Sequence, residues 1–383
     1  MDDLFFFEET LTDDERLIRD TVARFVKDEI EPQITTSFEE ATFSKALIPK
    51  LAALGLFGLT LPPEYGGAGA SDVAYGLVCQ ELEAGDSGLR SFVSVQSSLC
   101  MYPIFRYGTE AQKKHFLPAM AAGEIIGCFG LTEADSGSDP ASMRSFARKV
   151  TGGFILNGAK LWITNATLAD VAIVWAKTED GIRGFLVEKG TPGFTTKELL
   201  HKMSLRASVT GELIFEEVFI PEDRCLQSKG LSLPLSCLSQ ARYGIAWGAM
   251  GAARDCFERT RAYLLERKQF NKPLASFQLI QEELAKMYTE IMKAQWLHLQ
   301  LGRLKAQKRE TPTMISLAKR NACREALSIA RTCRNLLGAN GISLEYHVIR
   351  HMLNLESVFT YEGTDNVHTL VIGKYLTGID AFS

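Results

Sequence analysis

The periodicity of the apolar residues changes twice along the chain, and these changes restrict the fold more than any other feature. From about residue 11 to 124 the period is helical, and Leu17, Ile18, Val22, Phe25, Val26 and Ile30 predict one apolar stripe. Between about 125 and 230 short β-type runs replace it, and from about 231 the helical period returns. A length of 383 residues suits two or three packed units.

Turn and cap signals divide these blocks further. In the β block, the run 154–156 precedes Asn157-Gly158 and the run 171–175 precedes residues 179–181, which predicts turns between antiparallel strands of a barrel or sandwich. In the last block, Thr311 as N-cap, Pro312 at the first helical position and Gly338 just past the end predict one long helix. We therefore expect an α+β multidomain chain with an N-terminal helical domain (1–124), a central antiparallel β-barrel (125–230) and a C-terminal four-helix bundle (231–383).

Composition excludes several functional classes. No apolar run approaches the roughly 20 residues of a membrane-spanning helix, and the acidic start differs from a basic targeting segment. We expect a cytoplasmic protein, or one of the mitochondrial matrix if this is a mature eukaryotic chain. A net charge of −4 with interspersed signs argues against a nucleic-acid partner. The eight cysteines form no Cys-x-x-Cys pair, and we expect buried thiols and no metal.

Glu362 is the strongest candidate for chemistry. It lies between Tyr361 and Gly363 some twenty residues from the C-terminus, in a setting that lets a ligand approach the backbone and leaves the acid partly desolvated. Desolvation raises the pKa of a carboxylate, so that Glu362 could take a proton from a carbon acid. The alternative is a surface glutamate beside a turn glycine.

Arg90 is the second candidate because it heads a stretch that looks largely buried. A buried guanidinium needs an anionic partner. That partner is either a nearby carboxylate, Glu83 or Asp86, or the carboxylate of a substrate.

Four further segments offer ligand contacts, each with a purely structural alternative. The loop 129–140 supplies backbone N–H groups and hydroxyls but could be only a turn, and Trp162 and Thr164 are expected on one face of a strand, where a tryptophan is usually core. Segment 266–273, with Gln278, suits a diphosphate and an adenine but could be a solvated helix end, and segment 335–341 could be only a helix cap.

Together these segments resemble the acyl-CoA dehydrogenase family over essentially the whole chain, with the glutaryl-CoA dehydrogenase subfamily the most similar. The resemblance rests on the runs 86–91, 94–99, 204–208, 241–248 and 360–364. It implies the acyl-CoA dehydrogenase fold and FAD as cofactor, with Glu362 as catalytic base. Gly363, Tyr361, Ser91, Ser138, Arg242 and Tyr243 then resemble contacts to the acyl-CoA. The residues that resemble FAD contacts are Phe129, Leu131, Thr132, Gly137, Ser138, Trp162, Ile163, Thr164, Arg267, Phe270, Gln278, Asn335, Leu336, Leu337, Gly338, Ala339, Thr364, Asp365 and Asn366.

The subfamily resemblance also implies a substrate and a reaction. Arg90 would pair with the distal carboxylate of glutaryl-CoA, and Glu83 and Tyr361 resemble the residues associated with loss of CO2, so the expected product is crotonyl-CoA. An electron-transfer flavoprotein as acceptor and a homotetramer are implied as well. Ser239 and Gln240 stand where two amides are expected, which is a local departure from the pattern.

Three other functions remain open at this stage. The chain could be a short-chain dehydrogenase of monocarboxylic acyl-CoA, an acyl-CoA oxidase, or a non-catalytic acyl-CoA or flavin-binding protein. The metabolic pathway is also open among lysine, tryptophan and aromatic-acid breakdown.

Overall fold

The computed structural model describes residues 3–381, and its first block is helical as predicted. Helix α1 begins at a capping box, in which the Thr12 hydroxyl accepts from the Glu15 N–H at 3.2 Å and the Glu15 carboxylate accepts from the Thr12 N–H at 3.0 Å. The helices of this block are α1 (Asp13–Phe25), α2 (Glu31–Glu40), α3 (Leu47–Ala53), α4 (Asp72–Gly85), α5 (Ser87–Ser94), α6 (Tyr102–Tyr107) and α7 (Glu110–Ala121).

The predicted stripe on α1 is wrong at one position. Val22, Val26 and Ile30 are buried, but Leu17 is 66% exposed. A π-helical segment, Val26–Ile30, follows α1 directly. Leu17 is exposed because it lies five residues before Val22, about 140° around the regular helix α1, off the face that Ile18, Val22 and Phe25 share.

The corner between α4 and α5 buries the segment that carries Arg90. Asp86 is the N-cap of α5, and its side chain accepts from the Gly88 N–H at 2.7 Å. Every residue of α5 and of the π-helical segment Val95–Met101 that follows it is buried. The expectation of a largely buried stretch is confirmed.

The middle block is a β domain with one eight-stranded sheet, in the order β6-β7-β3-β2-β4-β5-β8, and β1 pairs with β4. Most pairings are antiparallel, whereas those of β4 with β1 and with β2 are parallel. The strands are β1 (Gly127–Gly130), β2 (Phe146–Val150), β3 (Gly153–Thr164), β4 (Val171–Thr178), β5 (Gly181–Glu188), β6 (Phe194–Glu198), β7 (Thr210–Pro221) and β8 (Cys225–Lys229).

The turn predicted at Asn157-Gly158 is wrong. Strand β3 continues through both residues, with a register shift against β7 between Leu156 and Gly158. Gly158 has φ 140°, and a Cβ there would lie 2.4 Å from the Oγ of Ser145, the residue before β2. The glycine therefore permits a bulge in β3 that packs closely against this residue. The turn expected at 179–181 is confirmed, since Thr178 pairs with Gly181.

The last block is helical, and α8 packs against both α4 and α10. As predicted, the Thr311 hydroxyl caps α10, accepting from the Met314 N–H at 3.3 Å, and Gly338 follows the end with φ 61°. The elements are α8 (Ser232–Glu266), β9 (Lys268–Gln269), β10 (Lys272–Pro273), α9 (Gln278–Ala306), α10 (Pro312–Leu336), α11 (Val348–Thr360) and α12 (Asp365–Thr377).

Two further observations bear on the composition. Within residues 3–381, no helix is both long and apolar enough to cross a membrane. The eight cysteines are all free and buried, as expected.

Candidate functional site

Glu362 lies in the loop of residues 361–364 that joins α11 to α12, here called the α11–α12 loop. Thr364 ends this loop as the N-cap of α12, with its hydroxyl accepting from the Val367 N–H at 3.2 Å. Glu362 has φ 52° and Gly363 has φ 98°. A left-handed conformation costs a non-glycine residue about 1–2 kcal/mol, so the surrounding structure must hold Glu362 in place.

Two cations, the half-buried Arg242 and the buried Lys319, hold the carbonyl groups of this loop. Arg242 Nε donates to the Glu362 carbonyl at 2.6 Å. Lys319, which is 1% exposed on α10, donates through Nζ to the carbonyls of Phe359, Tyr361 and Gly363 at 3.4, 3.0 and 2.8 Å. The backbone on both sides of the Glu362 side chain is thereby fixed.

The Glu362 carboxylate is placed to act as a base. Its Oε2 atom is buried and has no hydrogen-bond partner among the described residues. Burial raises the pKa of Glu362 above its usual 4.5, although the charges of Arg90, Arg242 and Lys319 oppose the increase. The alternative of a solvated surface glutamate is therefore wrong, and a desolvated carboxylate with a free oxygen can accept a proton from a bound ligand.

Arg90 lies beside Glu362 in a buried cluster with Glu83 and Tyr361. Its Nε is 2.6 Å from Glu83 Oε2, and its Nη2 donates to the Tyr361 hydroxyl. The Arg90 and Glu83 side chains are only 1% and 0% exposed. Burial raises the pKa of Glu83 while the charge of Arg90 opposes the increase, and burial also raises the pKa of Tyr361.

The structure decides between the two predicted carboxylate partners of Arg90. Asp86 pairs instead with Arg350 at 2.7 Å and accepts from Asn354 Nδ2 at 2.8 Å, so Glu83 is the partner of Arg90. Asn354 also accepts from the Leu205 N–H at 2.7 Å. The runs 86–91 and 204–208, which are far apart in sequence, thus meet on α11.

Gly248 on α8 makes room for the cluster. A Cβ at this position would lie 2.1 Å from Glu83 Oε2 and 3.1 Å from Arg90 Nε. Only a residue without a side chain fits there, which explains the second glycine of the run 241–248 in structural terms.

Three family models match consecutive parts of the chain: acyl-CoA dehydrogenase N-terminal domain at residues 12–124, middle domain at 128–218 and C-terminal domain at 228–377. The chain belongs to the acyl-CoA dehydrogenase family. The predicted family and its order of a helical, a β and a second helical domain are confirmed.

Individual relatives match over nearly the full length. The acyl-CoA dehydrogenase of Bacillus subtilis (strain 168) is 35% identical over 375 residues, covering 96% of this chain and 99% of that protein. The short-chain specific acyl-CoA dehydrogenase of Megasphaera elsdenii is 36% identical over 363 residues, covering 92% and 95%. The crystal structure of a glutaryl-CoA dehydrogenase from Mycobacterium smegmatis in complex with FADH2 has a TM-score of 0.98 at 54% identity, covering 99% and 98% of the two chains.

The first group of predicted FAD residues lies on the β domain. Trp162 is 61% exposed with φ 63°, at a register shift of β3, so strand alternation alone does not place it on one face with Thr164. Phe129, Leu131 and Ile163 are buried, Thr132 and Thr164 are half-buried, and Gly137 and Ser138 are exposed.

The second group lies at the far end of the C-terminal helices. Phe270, in the turn between β9 and β10, is 88% exposed. The Asn340 Nδ2 donates to the Tyr263 hydroxyl at 3.2 Å, which joins the segment after α10 to the end of α8. Arg267, Gln278, Asn335, Gly338 and Ala339 are exposed, Leu336 is half-buried and Leu337 is buried.

Two predicted contacts disagree with the structure. Tyr243 is 0% exposed, donates to the Asp72 carbonyl at 2.8 Å and packs against Trp247, so it belongs to the core and offers no surface to a substrate. The Asp365 carboxylate is buried: one oxygen pairs with Arg324 at 2.6 Å and the other lies 3.4 Å from Arg320, so both oxygens already face a cation. The resemblance implied both contacts, and the packing of distant segments does not favour them.

The remaining predicted residues of the site differ in how far they are exposed. Ser91 is buried on α5, beside Arg90 in sequence, and Asn366 is exposed in the first turn of α12. Ser239 and Gln240, at the departure from the family pattern, are half-buried on α8.

Sequence reasoning missed two buried lysines near the predicted site. One is Lys319, and its signal is that Ile315, Ala318, Ala322 and Cys323 put position 319 on the buried face of α10. The other is Lys160, whose Nζ lies 2.7 Å from Glu133 Oε1 and 3.0 Å from the Leu131 carbonyl. This pair fixes the loop that follows β1.

Proposed function

We propose that this acyl-CoA dehydrogenase uses FAD to oxidise glutaryl-CoA at the α and β carbons and then releases CO2 to give crotonyl-CoA. The observation that carries the proposal is the buried cluster of Arg90, Glu83 and Tyr361 directly beside Glu362. A base alone would serve any acyl-CoA, whereas a buried guanidinium beside it suits an acyl chain that ends in a carboxylate.

FAD suits the residues that are present. The exposed indole of Trp162 and the exposed phenyl ring of Phe270 are large apolar surfaces left open to a ligand, and Thr132 and Thr164 offer hydroxyls beside the first of them. FAD would be held by the loop after β1, by the end of β3 and by segments 267–278 and 335–339, and when bound it supplies the acceptor for the β-hydride. The relative from Mycobacterium smegmatis is in complex with FADH2, which supports this assignment.

The first step is proton removal by Glu362. Its unpartnered Oε2 takes the proton from the α carbon, and its raised pKa matches the task better than that of an exposed glutamate. Arg242 and Lys319 hold the backbone of the loop, so the carboxylate is positioned before the ligand arrives.

The charge balance of the site supports a dicarboxylic substrate. Arg90, Arg242 and Lys319 all interact with Glu362, and Glu83 pairs with Arg90. Asp365 also faces Lys319, but it is paired with Arg324 and Arg320. The cations therefore outnumber the carboxylates when all of these groups are ionised. The distal carboxylate of a glutaryl chain would offset this excess, whereas a butyryl chain would not.

Loss of CO2 follows from the same groups. Once the double bond has formed, the γ-carboxylate can leave as CO2, and its bonding electrons pass into a dienolate conjugated with the thioester. Glu362, which holds the abstracted proton, returns it to C4 of that dienolate. The hydroxyl of Tyr361, whose pKa burial raises, remains protonated and bonded to Arg90, so it does not compete as a base.

The partners and the competing function are part of the same proposal. We propose an electron-transfer flavoprotein as electron acceptor and a homotetramer in which the exposed segment 267–278 meets a neighbouring subunit. The second candidate function is dehydrogenation of short monocarboxylic acyl-CoA, which the 36% identical short-chain specific relative favours.

The test is to mix the FAD-loaded protein anaerobically with glutaryl-CoA or butyryl-CoA and to follow flavin absorbance. We expect faster bleaching with glutaryl-CoA and, with an artificial electron acceptor, crotonyl-CoA and CO2 as products. Faster bleaching with butyryl-CoA would favour the second candidate, and glutaconyl-CoA without crotonyl-CoA would remove the decarboxylation step. Stoichiometric peroxide in air would indicate an oxidase, and ligand binding without bleaching would indicate a non-catalytic protein.

A further inference from the structure

Lys319 is a buried cation with no ion-pair partner among residues 3–381. Its three hydrogen bonds all go to backbone carbonyls, those of Phe359, Tyr361 and Gly363. An ammonium group has three N–H donors, and here all three find acceptors within one short segment. Burial lowers the pKa of Lys319, so retaining a charge at this position is unfavourable unless the contacts compensate for it.

The three accepting carbonyls surround the residue that carries the carboxylate. Those of Tyr361 and Gly363 flank Glu362 directly, and the Glu362 carbonyl is taken by Arg242 Nε at 2.6 Å. Every carbonyl from 361 to 363 therefore accepts a hydrogen bond from a cation, either the buried Lys319 or the half-buried Arg242. The same residues include two successive positive φ angles, 52° at Glu362 and 98° at Gly363.

This arrangement opposes the relaxation that such a loop would otherwise undergo. A glutamate in the left-handed region reaches lower energy by rotating its backbone, and that rotation would carry its side chain to another direction. Lys319 resists the rotation because the Tyr361 and Gly363 carbonyls would have to leave the ammonium group. Lys319 lies on α10, a long helix packed against α8, which gives the contacts a rigid base.

We infer that Lys319 is a positioning residue for Glu362, which fixes the direction of the carboxylate by holding the backbone on both sides of it. The inference rests on the proposed role of Glu362 as base. Lys319 itself does not need to touch the substrate.

The decisive variant is Lys319→Met, which keeps the length and apolar stem of the side chain and removes its donors. Lys113→Met is the matched control, since Lys113 lies on α7 and pairs with Glu110 at 2.8 Å, away from the α11–α12 loop. We expect Lys319→Met to bind FAD and to lower kcat about 100-fold with KM within about twofold, because misplacement of a reacting group by about 1 Å has an effect of this size. The control should retain wild-type kcat.

The pH profile separates positioning from general stabilisation. Lys319 is one of three cations that oppose the rise in the pKa of Glu362. In Lys319→Met the profile of flavin reduction should therefore shift to higher pH, whereas a merely structural lysine would change the melting temperature and leave the profile in place. If Lys319→Met does not fold, Lys319→Arg is used, since its planar guanidinium cannot reproduce three contacts from one nitrogen and should also lower kcat.

A second measurement does not depend on activity. Hydrogen–deuterium exchange of the peptide spanning residues 356–366 should be faster in Lys319→Met than in Lys113→Met and wild type. Unchanged exchange, or kcat within about twofold of wild type with any acyl-CoA that reduces the wild-type flavin, would overturn the inference. If no acyl-CoA reduces the wild-type flavin, the proposed function fails and the exchange experiment still decides the role of Lys319.

Discussion

Replacement of Arg90 by Met tests substrate preference most directly. Nε of Arg90 donates to the Glu83 carboxylate and Nη2 donates to the Tyr361 hydroxyl. Nη1 makes no hydrogen bond to a described residue. Both N–H groups of Nη1 are thus available to a distal carboxylate, and we count a single charge-assisted contact there. Such a contact contributes about 1.5–3 kcal/mol, which corresponds to a roughly 10- to 150-fold loss in kcat/KM for glutaryl-CoA relative to butyryl-CoA.

The ratio of the two substrates is the appropriate readout because the variant also loses stability. Removing one member of a buried ion pair costs about 3–5 kcal/mol. Glu83 is 0% exposed and burial raises its pKa, so in the variant we expect it to take up a proton. Loss of folded enzyme lowers both rates equally and cancels in the ratio.

Arg254→Met is the control for this experiment. It breaks another ion pair of α4, Arg254 with Glu81 at 2.6 Å, and should lower stability without changing the ratio. The assay is steady-state kinetics of both variants with glutaryl-CoA and butyryl-CoA and one artificial electron acceptor. An equal decrease with the two substrates in Arg90→Met would show that Arg90 has only a structural role.

Three further predictions concern single residues. Glu362→Gln should retain FAD and ligand binding but lower flavin reduction by several orders of magnitude, and the wild-type rate should increase with pH through the raised pKa of Glu362, a dependence that the variant lacks in stopped-flow measurements. Gly248→Ala puts a methyl group 2.1 Å from Glu83 Oε2, so we expect a lower melting temperature and a weaker preference for glutaryl-CoA; an unchanged preference would contradict the packing argument. Burial acts to raise the pKa of Glu133, but hydrogen bonds, including that from Lys160, lower it to about 2, so its contribution to stability is full above pH 4.5 and is lost as the pH falls toward 2. Urea denaturation should show a smaller decrease in stability over this range for Glu133→Gln than for wild type.

Local sequence signals predicted several elements correctly because their causes are local. The cap of α10 requires only Thr311, Pro312 and the glycine beyond its end, and all three lie where the structure has them. The turn between β4 and β5 is of the same kind. The turn expected at Asn157-Gly158 was wrong because the same residue pair also suits a bulge, and only pairing with β7 distinguishes the two.

The candidate site shows a similar division. Glu362, Arg90, Glu83 and Tyr361 were predicted from the sequence, and the structure brings them together although 271 positions separate Arg90 from Tyr361. The pairing of Arg90 with Glu83 and not with Asp86 was not predictable from the sequence, because it depends on the ion pair that Asp86 forms with Arg350 of α11.

By itself, the sequence determined the order of helical and β blocks, the family, and the acid and the guanidinium that the chemistry requires. Periodicity, caps and motifs are properties of neighbouring residues, so they can be read without coordinates. Only the tertiary structure decided that Tyr243 belongs to the core, that Lys319 and Arg242 hold the carbonyls around Glu362, and that three cations act on the base. Burial and charge balance depend on which distant segments pack together, and this information is not present in any single stretch of the chain.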